Sequence, residues 1–188
     1  GLRNVFVSNG YMGPGVVEDA ASIFLDAINV DIKAFTDDFY QDVCGARLQP
    51  VLDATIAFKK AGVWVEVTTL VIPELNDSPE ELRQLADFIV AEIGEETPWH
   101  LSRFHPDNEM LDSEPTPIET LRMAVDAGRD AGLKHIYVGN VADSAGLETH
   151  CPSCGEAVLS LDGFFVEGNR LVEGRCPSCQ KEIAGVWR

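Results

Sequence analysis

Two identical tetrapeptides constrain this chain more than anything else in it. Cys151-Pro152-Ser153-Cys154 and Cys176-Pro177-Ser178-Cys179 each place two thiols one short turn apart. Two such knuckles on facing hairpins offer four sulfurs in a tetrahedron, the arrangement of a closed structural zinc site. Two disulfides are the alternative reading. The repetition of C-x-x-C favours metal, and nothing explains why a redox C-x-x-C should occur twice. The expected ligands are therefore Cys151, Cys154, Cys176 and Cys179, with Zn2+ as the structural ion. His150 adjoins the first knuckle, but four sulfurs already complete the shell. The fifth cysteine, Cys44, follows Val43 and reads as a small buried hydrophobe without a catalytic role. Thiols kept for metal imply a reducing compartment, so a cytoplasmic location is expected.

From His150 onward the chain offers only short β-like pieces: Ala157–Leu161, Phe164–Val166, Leu171–Arg175 and Ile183–Trp187. Asp162-Gly163 and Gly168-Asn169 read as turns between them. A unit of about forty residues buries little core, so the metal should supply much of its folding energy. The expected division is a βα region over 1–139, a linker over 140–149 and a zinc ribbon over 150–188.

Residues 1–139 alternate strand and helix. Asn4–Ser8, Ile28–Ile32, Val63–Ile72, His100–Phe104 and His135–Val138 read as strands. Between them lie helical stripes: Val17, Ala20, Ala21, Phe24 and Leu25; Leu48, Val51, Leu52, Thr55 and Ile56; and Leu82, Leu85, Ala86, Ile89, Val90 and Ile93. A fourth helix runs from Thr116-Pro117-Ile118-Glu119 to near Gly132. Ser78-Pro79-Glu80-Glu81 and Thr116-Pro117-Ile118-Glu119 both read as capping boxes. This alternation predicts an α/β fold of right-handed βαβ units with a parallel sheet. Ligands then sit at the C-terminal strand ends. Ser8-Asn9-Gly10, Asp31-Ile32-Lys33, Pro73-Glu74-Leu75-Asn76 and His105-Pro106-Asp107-Asn108 fall there. Asn, Asp, Gly and Pro are ordinary turn formers. Lys33 and His105 are not, so they carry more weight.

Composition narrows the partners. The net charge of −17 disfavours a duplex nucleic-acid partner, whose phosphates it repels. No apolar run approaches the ~20 residues of a membrane span. Leu2 to Val7 already reads as strand with no lead-in, so the sequence is expected to be a piece of something longer.

The ordered loops resemble the radical SAM superfamily. Val7-Ser8-Asn9-Gly10, Asp31-Ile32-Lys33, the long strand ending at Ile72-Pro73, and Leu101-Ser102-Arg103-Phe104-His105 are similar in order and spacing to its activating-enzyme branch. Phe104-His105-Pro106, the Thr116-Pro117 helix start and the trailing ribbon resemble the radical SAM protein of the AmmeMemoRadiSam system more closely still. The resemblance implies a partial (β/α) barrel, about strands three to six. It also implies an enzyme that reductively cleaves S-adenosylmethionine to a 5′-deoxyadenosyl radical for a protein or small-molecule substrate. Family members hold a 4Fe–4S cluster in a C-x-x-x-C-x-x-C loop, which this sequence does not contain. Cluster and S-adenosylmethionine are thus expected only in a full-length protein, and this chain alone should be inactive. By the likeness, Ser8 and Asn9 lie near the cofactor, Asp31 and Lys33 neighbour its methionyl carboxylate, and His105 approaches the adenine. Val7 stands where some activating enzymes carry an Asp, and Thr68 where they carry a basic residue. Two other functions fit parts of the sequence: a non-catalytic zinc-ribbon interaction module on a (β/α) scaffold, and an aldolase with Lys33 as the Schiff-base amine.

Overall fold

The structure, a computed structural model, describes residues 1–108, 110–141, 148–162 and 165–187. Most of the expected linker, and Gly163 and Phe164 of the expected ribbon hairpin, lie outside the described residues.

Five strands form one parallel sheet in the order β1-β2-β3-β4-β5: β1 (Val5–Ser8), β2 (Ala27–Asp31), β3 (Trp64–Val71), β4 (Trp99–Arg103) and β5 (Ile136–Gly139). The intervening helices are α1 (Pro14–Ile23), α2 (Asp37–Asp42), α3 (Leu48–Lys60), α4 (Pro79–Phe88) and α5 (Ile118–Ala131). Because strand order follows chain order, each right-handed crossover puts its helix on the same side, as in a singly wound barrel. This is a partial β/α barrel, as the resemblance implies. Its strands alternate accordingly. In β3, Val65, Val67, Thr69 and Val71 are buried against the helices, while Trp64, Glu66, Thr68 and Leu70 are only half-buried on the inner face. Ile28, Val30, Trp99 and Leu101 join the buried layer. Gly128 lets α5 approach the sheet. A Cβ there would lie 2.7 Å from Ile136 Cδ1 and 3.1 Å from the Trp99 ring.

The helix signals hold in part. Ser78 caps α4 by accepting from the Glu81 N–H at 3.2 Å. The Glu81 carboxylate does not return to the cap as a capping box requires; it accepts from the Phe35 N–H at 2.6 Å. Thr116 is not a cap at all, and Pro117 occupies that position. The buried Thr116 hydroxyl instead accepts from the Phe104 N–H at 2.8 Å and donates to the Val71 carbonyl at 2.6 Å, tying the ends of β3 and β4. The short α2 has no counterpart among the sequence expectations. Its six residues are too few for a stripe to register.

The C-terminal region forms a three-stranded antiparallel sheet: β6 (Glu148–His150), β7 (Ala157–Asp162) and β8 (Phe165–Asn169). Gly168-Asn169 is strand rather than turn, with Gly168 paired to Ser160 across a register irregularity. Leu171–Arg175 and Ile183–Trp187 are not strands. The first carries isolated bridges, Val172 to Arg175 and Arg175 to Glu182, and the second carries none. This region has its own small core of Cys151, Val158, Cys176 and Ile183, with Leu171 and Trp187 packed on it.

Candidate functional site

The C-terminal ends of β1, β2 and β4 carry the strand-end residues singled out by sequence. Lys33 Nζ pairs with Asp31 Oδ2 at 3.0 Å, the two side chains 39% and 32% exposed. The Lys33 backbone N–H donates to Tyr40 OH at 3.0 Å. Burial pushes the Tyr40 phenol up to about 12, so it remains a neutral hydroxyl there. Asn76, 2% exposed, fixes the same turn by donating to the Lys33 and Leu70 carbonyls and accepting from the Ile72 N–H at 2.6 Å. His105 is exposed on the rim, and among the described residues its ring nitrogen contacts the Pro106 carbonyl at 3.3 Å. Two strand spacings separate β2 from β4, roughly 10 Å. Ser8 pairs in register with the buried Val30, so it lies on the helical side, opposite Asp31. Its hydroxyl accepts from the Gly10 N–H at 3.1 Å, and Asn9 accepts from the Tyr11 N–H at 3.1 Å. The rim therefore brings Asp31 and Lys33 together, places His105 across from them, and gives Ser8 and Asn9 a turn-forming task. Gly10, at φ 69°, is required in that turn, since a Cβ would sit 2.7 Å from Val30 Cγ1.

Cys44 departs from its expectation. It is exposed, in the turn after α2 where Gly45 takes φ 61°. What burial its sulfur has pushes the thiol up, away from the reactive thiolate.

The four remaining cysteines converge. All four sulfurs lie within 4.8 Å of one another. The closest pairs, Cys151 with Cys179 and Cys154 with Cys176, stand at 3.5 and 3.6 Å. Four sulfurs held tetrahedrally at ~2.3 Å from a zinc ion would be separated by about 3.8 Å, so the spacing fits a metal and not two disulfides. The knuckles are near copies. Cys151 N–H donates to the Glu156 carbonyl at 2.8 Å, and Cys176 N–H to the Lys181 carbonyl at 2.9 Å. Gly155 and Gln180 close the two turns with φ 75° and 63°. The Glu156 backbone N–H pulls the Cys154 thiol down, but its sulfur neighbours push it up to about 12. Crowded thiols resist losing protons unless a cation enters.

A third group, on the inner sheet face, was not singled out by sequence. His100 Nε2 meets Glu66 Oε2 at 2.8 Å, and Trp64 Nε1 donates to Glu66 Oε1 at 2.9 Å. The His100 and Tyr137 rings stack at 5.2 Å, and Tyr137 OH bonds Thr149 Oγ1 of β6 at 2.8 Å. Burial alone would raise the Glu66 carboxyl, but bonds from His100 and Trp64 outweigh it and hold the group below its usual range. Thr68 donates to Asn29 Oδ1 at 2.7 Å beside them. These residues were invisible because they sit mid-strand, where only the i, i+2 alternation marks them. A group whose folded pKa is depressed adds stability above its unfolded pKa and loses it as pH falls through the folded value. Glu66→Gln should therefore flatten the acid limb of the melting-temperature profile below about pH 4.3. An unchanged limb in a pH series would show that the pair contributes nothing.

Comparison with known proteins agrees with this geometry. The sequence profile of the Radical SAM superfamily matches residues 1–89. The uncharacterized protein MJ0808 of Methanocaldococcus jannaschii is 45% identical over 185 residues; the match takes in 97% of this chain, which spans about half, 54%, of that relative. A domain of a pyruvate-formate lyase-activating enzyme from Bacteroides vulgatus superposes with a TM-score of 0.63 at 14% identity, over 72% of this chain and 80% of that one. A radical SAM methyltransferase from Sphaerobacter thermophilus superposes at 0.59 and 18% identity, over 75% of this chain and 42% of that one. At these identities the two structures speak for the fold alone. The match to the Radical SAM superfamily thus rests on residues 1–89, and the five-stranded parallel sheet shares the fold of these two structures.

Proposed function

We propose that this chain is the C-terminal portion of a radical SAM enzyme similar to the glycyl-radical activating enzymes, with a trailing ribbon that holds one structural zinc ion in a reducing, cytoplasmic setting. The observation that carries it is the Asp31–Lys33 pair at the rim of a radical SAM-type sheet, with His105 exposed across from it. Lys33 would pair with the carboxylate of S-adenosylmethionine and His105 would meet its adenine edge. Bound next to a reduced 4Fe–4S cluster, that cofactor supplies a 5′-deoxyadenosyl radical. This chain's cysteines do not fit a cluster: four gather in the ribbon and Cys44 stands alone, so the cluster loop would come from elsewhere in the protein. The Phe104-His105-Pro106 turn and the ribbon support a place in the AmmeMemoRadiSam branch. The substrate is a protein or a small molecule rather than a nucleic acid. The aldolase reading is weaker, because Lys33 is ion-paired and partly exposed, whereas a Schiff-base lysine wants an apolar, desolvated pocket.

Calorimetry tests the assignment. In the longer protein with its cluster, Lys33→Ala and His105→Ala should each weaken S-adenosylmethionine binding about ten-fold, the effect of one lost polar contact of ~1–2 kcal/mol. Cys44→Ala should leave it unchanged. The 188-residue chain should bind at millimolar levels or weaker, because two such contacts barely offset the lost freedom of the ligand. Micromolar binding by this chain, or wild-type affinity in Lys33→Ala, would overturn the assignment.

A further inference from the structure

Between the inner sheet face and the ribbon lies a cavity of about 1030 Å³, room enough for a drug-sized molecule. Its walls are mostly apolar and partly aromatic, including Val5, Trp64, Leu159, Leu161 and Trp187. Glu66, His100 and Tyr137 form a polar patch on its sheet side, and Asn29, Lys59 and His135 also line it. Arg3, also on the wall, is already paired with Asp26 at 2.6 Å.

The polar side has a definite donor and acceptor sense. Both Glu66 oxygens are engaged, one by the Trp64 N–H and one by His100 Nε2. An ionised Glu66 can only accept, so the proton of a neutral His100 resides on Nε2. Nδ1 then carries a lone pair. Among the described residues nothing hydrogen-bonds it, and the side chain is 33% exposed. In its neutral form His100 thus presents an acceptor backed by a carboxylate, stacked on the Tyr137 ring. Such an arrangement strengthens a hydrogen bond from an O–H or N–H. An anion would be repelled by Glu66 and by a chain of net charge −17. A cation would lose its hydration among apolar walls and, at Glu66, would compete with the two donors already bound there.

We propose that this cavity is a binding site for a neutral ring compound bearing one O–H or N–H donor, a phenol or an indole in class, anchored on His100 Nδ1 with Glu66 as the positioning residue. The site needs neither S-adenosylmethionine nor a cluster, so it is independent of the enzymatic reading above.

Fluorine NMR titration of the 188-residue chain is the test, with 4-fluorophenol as the probe. 4-Fluoroanisole replaces the donor O–H with O–CH3, and 4-fluorobenzylamine replaces it with a cation. The phenol should bind at least ten-fold tighter than the anisole. His100→Phe keeps a ring against Tyr137 but removes the acceptor. It should bring the phenol down to the anisole's affinity and leave the anisole unchanged. Glu66→Gln, which frees the imidazole proton without changing shape, should lower the phenol-to-anisole ratio at least three-fold. Should His100→Phe fail to fold, the Glu66→Gln ratio decides. Equal binding of phenol and anisole, no binding of either, tighter binding of the amine, or an unchanged ratio in Glu66→Gln would overturn the proposal.

Discussion

Replacing Cys176 by Ser should unfold the region from His150 onward while leaving the βα region helical. The ribbon's buried core consists of Cys151, Val158, Cys176 and Ile183, so two of its four buried side chains are themselves expected metal ligands. Full burial of an aliphatic side chain is worth roughly 1.5–3 kcal/mol, and Val158 and Ile183 alone cannot hold some forty residues in order. Structural zinc contributes on the order of 10–16 kcal/mol in small domains of this kind. Replacing one buried thiolate with a hydroxyl takes away a ligand and leaves a polar group between the knuckles without a metal to bind. The wild-type chain should release one zinc to a metal-sensitive dye, and Cys176→Ser none. Trypsin should cut the mutant after Arg170 and Arg175 and spare α1 to α5. Chelation of the wild type should give the same cleavage pattern without any substitution. Zinc retained by the mutant would contradict the metal assignment, and loss of all helical signal on chelation would contradict the expected division near residue 140. The second outcome would mean that the Tyr137 to Thr149 bond and the shared cavity make the two sheets one cooperative unit.

How much of this was legible follows from where each signal resides. The five parallel strands and the long helices were readable because their apolar periodicity is local, and burial confirms it in Val65, Val67 and Val71 or in Leu82, Leu85 and Ala86. The cysteine group was readable because two short turns fix all four ligands. Capping was readable only where the side chain had no better partner. Ser78 is solvent-facing and caps, whereas the identically patterned Thr116 is buried between two strand ends and bonds them. The rim was half legible. Lys33 and Asp31 are two residues apart on one face, so sequence placed them together. Ser8 is on the other face, a consequence of register that no local pattern reveals. Glu66, His100 and Tyr137 are spread over three strands, and only the pairing of Thr68 with His100 and of His100 with Tyr137 brings them side by side.

The same limit applies to Asn76, where the sequence offered only a turn former. Asn76→Ala should lower the melting temperature of the βα region by roughly 10 °C or more. The amide is 2% exposed and serves three backbone groups: it donates to the Lys33 and Leu70 carbonyls and accepts from the Ile72 N–H. Only one further side-chain bond joins β3 to the segment just after β2 among the described residues, from the Thr69 hydroxyl to the Ile32 carbonyl at 2.9 Å. Each buried backbone group left without a partner costs about 1–3 kcal/mol. Water entering the vacated space recovers part of that, so a loss of roughly 3–5 kcal/mol is expected. At roughly 2–4 °C per kcal/mol for a region of this size, that sets the expected shift. Asn76→Asp should not rescue it. A carboxylate still accepts from Ile72, but it turns an acceptor toward two carbonyls that need a donor, so it should be as damaging as Ala near neutral pH and improve as acid protonates it. Leu75→Ala next door, at a side chain 41% exposed, should stay within about 0.5 kcal/mol of the parent. The consequence for the rim is direct. The Lys33 carbonyl is held by Asn76 while the Lys33 ammonium is held by Asp31, so releasing the first loosens the geometry of the second. Thermal denaturation of the three variants decides the matter. A shift below 3 °C for Asn76→Ala would mean that these backbone groups find other partners, and that the rim holds its shape without the amide.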